Sequence, residues 1–335
     1  MKKILVFSFS FIGDAVLSTA VIQPLRSHFQ NSHITFLVGP NAFDLLANDP
    51  QLDTTHIYDN RGEHAGLKGR IKLIKTLRRE KFDLVVNLRD SFTARCIGAE
   101  HWGLVRGNRE RHAVTRYLEV LSAQGVDTTD AHPHLQVTEA DHATAHRFLA
   151  EAGVTSERFL IGIHPGGNWV YKLWGAEKYA QLGTALSKEK NASILLFAGP
   201  NERKLQSQVA SMMTNPPPPP YQGGMDISPI LVKTENLREV AALIAACDVY
   251  IGNDTGPMHI AAAARTPVVA LFGSTNHIRS GPYGDKHTVV QSGIELGCNP
   301  CHPGRHPGGC GAGSCAVIDA ITVEQVLDAV NRLVL

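Results

Sequence analysis

An apolar run closed by a turn and followed by helical spacing occurs in both halves of this chain, and that grammar limits the fold more than any other feature. In the first half, Ile4-Leu5-Val6-Phe7 is apolar at every position, as a strand buried on both faces requires. Gly13-Asp14 follows as a turn, and residues 15–29 have helical spacing. Ile34-Thr35-Phe36-Leu37-Val38 is a second run, closed by Gly39-Pro40, and helical residues 68–80 lead into Leu84-Val85-Val86-Asn87-Leu88. Strands alternating with helices imply a parallel sheet covered on both faces.

The second half repeats the scheme. Residues 159–163 form a strand, then come the loop His164-Pro165-Gly166-Gly167-Asn168 and a helix over 175–188. A strand at 193–197 ends in Gly199-Pro200. Helical spacing over 237–247 precedes Val249-Tyr250-Ile251 and Val268-Val269-Ala270-Leu271-Phe272, two strands flanking a short helix at 256–264. A length of 335 residues exceeds one ordinary core and suits two domains. The expectation is an α/β fold of two open domains, 1–155 and 156–335, with a cleft between them and the boundary after a helix at 139–152. Ligands of such sheets gather at the carboxyl ends of the strands. Residues 215–224, five prolines followed by Tyr-Gln-Gly-Gly, read as a semi-rigid surface loop.

Composition removes several classes of function. With 43% hydrophobic and 19% charged residues the chain is globular, and its net charge of +1 does not mark a nucleic-acid binder. No stretch approaches the roughly 18 consecutive apolar residues of a membrane span. Lys2 and Lys3 ahead of an apolar run resemble a signal peptide, but Asp14, Arg26 and His28 interrupt it with no small-residue cleavage pattern, so a cytoplasmic protein is expected.

The sharpest local signal is Asn253-Asp254-Thr255-Gly256-Pro257-Met258-His259, between a strand and an alanine-rich helix. The first amides of that helix and its dipole offer a phosphate site, Gly256 permits close approach, and Pro257 suits the first turn. Against this stands the reading that Asp254 or Thr255 only caps the helix. In the glycine-rich loop, Gly166, Gly167 and Asn168 suit close ligand approach, and Lys172 after it can neutralise a diphosphate leaving group or be merely solvated. Glu202, after Gly199-Pro200-Asn201, can accept from a ribose or simply favour a helix start. Asp14, at the first helix, can act as a general base or sit as an acid favoured by the dipole.

Arg89, Arg95, Arg106, Arg109, Arg111 and Arg116 fall within 28 residues, with Ser91, His101 and His112 among them. The cluster suggests recognition of carboxylates or phosphates, the alternative being a solvated surface. Cys298, Cys301, Cys310 and Cys315 lie in a loop rich in Gly and Pro. In a reducing compartment four thiolates can surround one structural zinc or iron, with His302 and His306 as substitutes, or remain a reduced loop. Cys96 and Cys247 read as isolated core residues.

Together these motifs resemble the bacterial heptosyltransferases of glycosyltransferase family nine, which build the inner core of lipopolysaccharide. Ser10-Phe11-Ile12-Gly13-Asp14-Ala15-Val16-Leu17-Ser18-Thr19 is similar to the family's opening motif. Lys172-Leu173-Trp174, with Glu177, Lys178 and Tyr179, is similar to its donor-phosphate segment, and residues 253–263 to its most recognisable motif. Gly175 stands where relatives often have proline, a departure expected to matter little. The resemblance implies a GT-B architecture, two Rossmann-like domains facing across a cleft, the first binding the acceptor and the second an ADP-sugar. It implies a C-terminal helix, about 322–333, returning toward the first domain, and inversion at the anomeric carbon without a catalytic metal.

On that reading Asp14 is the base. Lys172, Gly166, Gly167, Asn168, Glu202 and residues 254–259 hold ADP-heptose, and Arg89, Ser91, Arg95, Arg109 and Arg111 meet an anionic saccharide. A lipid-linked acceptor would bring the protein to the inner face of the membrane. Alternatives are a transferase using another nucleotide sugar or a protein acceptor, and a non-catalytic nucleotide-sugar sensor, which would need no base.

Overall fold

A computed structural model describes residues 1–104, 110–155, 158–214, 227–234, 236–298, 301 and 313–334. The chain divides into two compact units, Met1–Gln136 and Val137–Leu335. The division falls ahead of the expected one at 155/156, because the helix Glu139–Glu151 packs on the helix Leu237–Ala245 of the second unit. Arg238 clamps Asp141 there, its Nε 3.2 Å from Oδ1. Asp141 also closes a capping box with Thr138.

Among its described residues the first unit has five parallel strands: β1 (Lys2–Phe7), β2 (Ser32–Val38), β3 (Thr54–Ile57), β4 (Leu84–Asn87) and β5 (Glu100–Gly103), in the order β3-β2-β1-β4-β5. Ile4 to Phe7 of the central strand are fully buried, which is why that run is apolar without alternation. The edge strands β3 and β5 (Thr-Thr-His-Ile, Glu-His-Trp-Gly) carry no such run; pairing with β2 and β4 places them. The expected helix over 15–29 is two helices, Ile12–Ser18 and Ile22–His28, joined by a 3-10 turn at Thr19–Val21. Pro24 supplies no N–H to continue the ladder, and the chain tightens just ahead of it.

Among its described residues the second unit has six parallel strands: β6 (Leu160–His164), β7 (Ser193–Leu196), β8 (Ile230–Leu231), β9 (Val249–Asn253), β10 (Val268–Leu271) and β11 (His287–Val290), in the order β11-β10-β9-β6-β7-β8. In both sheets the winding reverses once, between β1 and β4 and between β6 and β9. These switch points open a crevice at the strand ends in a doubly wound sheet. The helix Val323–Leu333, expected to return toward the first domain, buries Val326, Ala329 and Val330 in the core of the second unit, with Trp174, Leu182 and Leu271. Residues 215–224 lie outside the described residues. Among the described residues no helix is long and apolar enough to cross a membrane.

Candidate active site

At the switch point of the second unit two strand-end loops are tied together by one side chain. Asn253, the last residue of β9, is fully buried. Its Nδ2 donates to the carbonyls of Pro165 and Gly166, each at 3.0 Å, and its Oδ1 accepts from the Tyr179 hydroxyl at 2.9 Å. The glycine-rich loop after β6 is thereby fastened to the start of the helix Gly256–Ala263.

That helix begins without a side-chain cap. Thr255, its N-cap residue, turns its hydroxyl to the Asn253 carbonyl, and the Asp254 carboxylate is held by Lys172 Nζ at 2.7 Å. The capping reading therefore fails for both residues. Lys172 also donates to the Asp254 carbonyl at 3.1 Å, so it is not a freely solvated lysine. The result is a turn of amides at the positive end of a helix dipole, with an ammonium on Asp254 beside it, an arrangement suited to a phosphate group. Pro257 stands in the first turn, while Met258 and His259 are buried. Met258 gives its amide to the Thr255 carbonyl, so it supports the turn from within.

Glu202 braces the glycine loop. Its Oε2 accepts from His164 Nε2 at 2.9 Å and from the Gly199 amide at 2.6 Å, and a methyl on Gly166 would lie 2.4 Å from its carboxylate oxygens. Burial pushes this carboxyl up, but the hydrogen bond and charge of His164 with the amides of Gly199 and Gly167 outweigh it and bring the pKa down to about 2. Unfolded, the group titrates near about 4.3. Its stabilising contribution is thus complete above that value and lost as pH falls toward 2. Thermal melting of wild type and Glu202→Gln should differ at neutral pH and converge on acidification; parallel curves would remove Glu202 from this role.

Trp174 and Lys178 serve the back of the site. The indole N–H donates to the Ile321 carbonyl at 2.9 Å, and Lys178 Nζ reaches the same oxygen at 2.9 Å. Gly175 has φ +101°, a conformation closed to proline, so the departure at this position changes how the chain enters the helix Ala176–Glu189.

In the first unit, Asp14 lies half-buried in the first turn of Ile12–Ser18, just past β1. Burial pushes the Tyr117 phenol far above its ordinary range, and the neighbouring Asp14 carboxylate adds to this. Arg89, just past β4, donates to Ser10 Oγ at 3.4 Å and lies over the Tyr58 ring. Arg89 and the Asp14 loop thus meet at the β1/β4 switch point. Of the other expected arginines, Arg95 pairs with Asp90, next to Arg89, and Arg111 with Glu119; both arginines are exposed. Ser91 is locked to Asn87 through its own amide and carbonyl. Arg109 and Arg106 lie outside the described residues.

Cys310, His302 and His306 also lie outside the described residues. Cys301 donates its amide to the Ser274 carbonyl past β10, and Cys315 precedes the helix Ala316–Asp319, whose Ile318 lies against Gly273. Both cysteines are thus anchored at the end of one strand, while Cys298 is exposed. Among the described residues no three His, Cys, Asp or Glu side chains are placed to hold a metal ion. Cys247 is buried and its thiol pushed far up by burial; Cys96, expected in the core, is only half-buried.

Asn253 and Tyr179 stand inside motifs that the sequence singles out and His164 heads the glycine-rich loop, but the sequence assigns none of them the bracing role seen here. The available signal was a polar residue closing each of two apolar strands, Val249–Asn253 and Leu160–His164, at the central positions of one sheet.

An α/β chain with two doubly wound sheets, each presenting polar groups at its switch point, has the architecture of the GT-B fold. The chain belongs to glycosyltransferase family 9: residues 103–307, more than half of it, match Glycosyltransferase family 9 (heptosyltransferase). It is similar to lipopolysaccharide heptosyltransferase 3 of Escherichia coli K12, 28% identical over 81% of this chain and 82% of that one. Among solved structures it resembles a family 9 glycosyl transferase of Veillonella parvula, with a TM-score of 0.84, 26% identity, and 99% and 97% of the two chains covered. The fold of Escherichia coli ADP-heptose lipopolysaccharide heptosyltransferase II is also similar, with a TM-score of 0.76 at 22% identity over 99% and 98% of the chains.

Proposed function

We propose that this glycosyltransferase moves a heptose from ADP-heptose onto an anionic saccharide of the lipopolysaccharide inner core, inverting the anomeric centre. The observation that carries the donor half is the amide turn at Thr255–Gly256, locked by Asn253 to the glycine loop and flanked by Lys172. Heptose and the lipopolysaccharide acceptor rest on the names of the relatives.

In this reading Asp14 takes the proton of the acceptor hydroxyl as its oxygen attacks the anomeric carbon. The bond to the departing diphosphate breaks, and the negative charge that grows there falls to Lys172 and the first amides of the helix Gly256–Ala263. Gly166, Gly167 and Asn168 let the donor approach the backbone. Glu202 sets the shape of that loop and offers its remaining lone pairs to a ribose. Arg89, at the Asp14 loop, supplies the charge for an anionic acceptor.

Transfer itself uses no metal in this scheme. The thiolates of Cys298, Cys301, Cys310 and Cys315 are a donor set suited to a structural zinc or iron, which would close the loop at 298–315. Metal content of wild type and Cys298→Ser tests this separately from turnover. The protein works in the cytoplasm, at the inner face of the membrane that carries its acceptor.

Calorimetric titration with ADP, UDP and GDP is the first test. Preference for ADP supports the donor assignment, and transfer from ADP-heptose to core acceptors is then measured. Preference for UDP or GDP removes heptose from the reading. Lys172→Ala should weaken ADP binding and raise KM for the donor by about tenfold or more, as expected when one charge-assisted contact to a diphosphate is lost. An unaltered donor response would show that Lys172 serves Asp254 alone.

A further inference from the structure

The helix Gly66–Arg79 carries six cations, Lys68, Arg70, Lys72, Lys75, Arg78 and Arg79, and no carboxylate, in a chain whose net charge is only +1. It crosses from β3 to β4 and buries one narrow stripe, Gly69, Leu73 and Leu77; both leucines join the core that holds Leu5, Phe7 and Val85. Leu67 and Ile71 stand away from that stripe, 76% and 42% exposed, one helical turn apart and on the same face. At 3.6 residues per turn, Arg70 flanks this apolar ridge on one side and Lys68 and Lys75 on the other. Lys72 is paired with Glu63; among the described residues no ion pair takes Lys68, Arg70, Lys75 or Arg79.

A helix that only covered a sheet would not need two aliphatic side chains in water between unpaired cations. Single exposed leucines are ordinary; an aliphatic ridge bordered by lysine and arginine is the pattern of a helix lying in a lipid headgroup layer. We propose that this face of Gly66–Arg79 docks on an anionic lipid bilayer, with Leu67 and Ile71 at the acyl boundary and the free cations on lipid phosphates. Charge complementarity selects an anionic surface. The central apolar ridge selects lipid over a phosphate polymer, which would leave that ridge in water. The inference rests on the proposed function only for its purpose, which is to hold the enzyme where a lipid-linked acceptor lies.

The test is flotation of the whole protein with vesicles of phosphatidylcholine and of a phosphatidylcholine–phosphatidylglycerol mixture, with no acceptor or nucleotide present. Wild type should float with the mixed vesicles only, and salt should release it. Lys68→Gln with Lys75→Gln should weaken partitioning about thirtyfold, from roughly a fivefold loss for each cation near the surface. Leu67→Ser with Ile71→Ser should also weaken it, while leaving retention on heparin unchanged. Equal binding to both vesicles, no binding to either, or full vesicle binding by either double variant would overturn the proposal. Retention on heparin without flotation would assign the face to a polyanion. ADP titration of the same samples separates the readings: failure to float leaves the donor site standing, and failure to bind ADP leaves the docking face standing.

Discussion

Asp14→Asn is expected to lower turnover by about a hundredfold to ten-thousandfold, the range a positioned general base contributes, while ADP binding stays at the wild-type level. The two readouts separate because Asp14 belongs to the first unit and the amide turn, Lys172 and Asn253 to the second. The asparagine keeps the size of the side chain and loses its basicity. Its effect on stability should be small, about 0.3–1 kcal/mol for one carboxylate in a helix first turn. The measurement is steady-state transfer at saturating donor and acceptor, beside an ADP titration of the same preparation. Turnover equal to wild type would sink the assignment. A loss confined to acceptor KM would instead make Asp14 a binding residue beside Arg89.

The second large effect is expected at Asn253. In Asn253→Ala the carbonyls of Pro165 and Gly166 and the Tyr179 hydroxyl lose the partner they share, at a site with no access to water. Each buried polar group left unsatisfied costs about 1–3 kcal/mol, so the variant should be about 3 kcal/mol or more less stable. For a unit of this size that corresponds to a melting temperature lower by roughly 6–12 °C. ADP affinity should fall even where the variant remains folded, because the glycine loop is no longer fixed to the helix start. Asn253→Asp is the sharper form: it keeps the volume but turns a carboxylate toward two carbonyls. If Asn253→Ala melts and binds ADP like wild type, the two loops are held by something other than this side chain.

The central strands could be read from the chain because their burial on both faces writes itself as continuous apolar runs, as at residues 4–7 and 249–251. The edge strands could not: Thr54–Ile57 and His287–Val290 are half-exposed and owe their state to a neighbour's hydrogen bonds. The two loops that Asn253 ties together were visible as glycine-rich strand ends, and their convergence on β6 and β9 is a property of strand order, which no local pattern records. The arginine cluster is a different case. Proximity in sequence puts Arg89, Arg95 and Arg111 together, while the carboxylates that pair with the latter two, Asp90 and Glu119, carry no signal of their own in the pattern. The brace of Glu202 by His164 spans 38 residues and joins the ends of adjacent strands, so spacing alone could not reveal it.

The hydrogen bond from Trp174 to the Ile321 carbonyl ties the neighbourhood of Lys172 to the turn that leads into the helix Val323–Leu333. Trp174 is 1% exposed and packs in the same core as Val326, Ala329 and Val330 of the final helix. A variant that unseats that helix would open the indole and the aliphatic side of β10 and β11 to solvent, with nothing behind the segment that carries Lys172. A packing fault in the helix Val323–Leu333 is thus expected to be felt at the segment of Lys172 through the core, with no change in any strand-end loop.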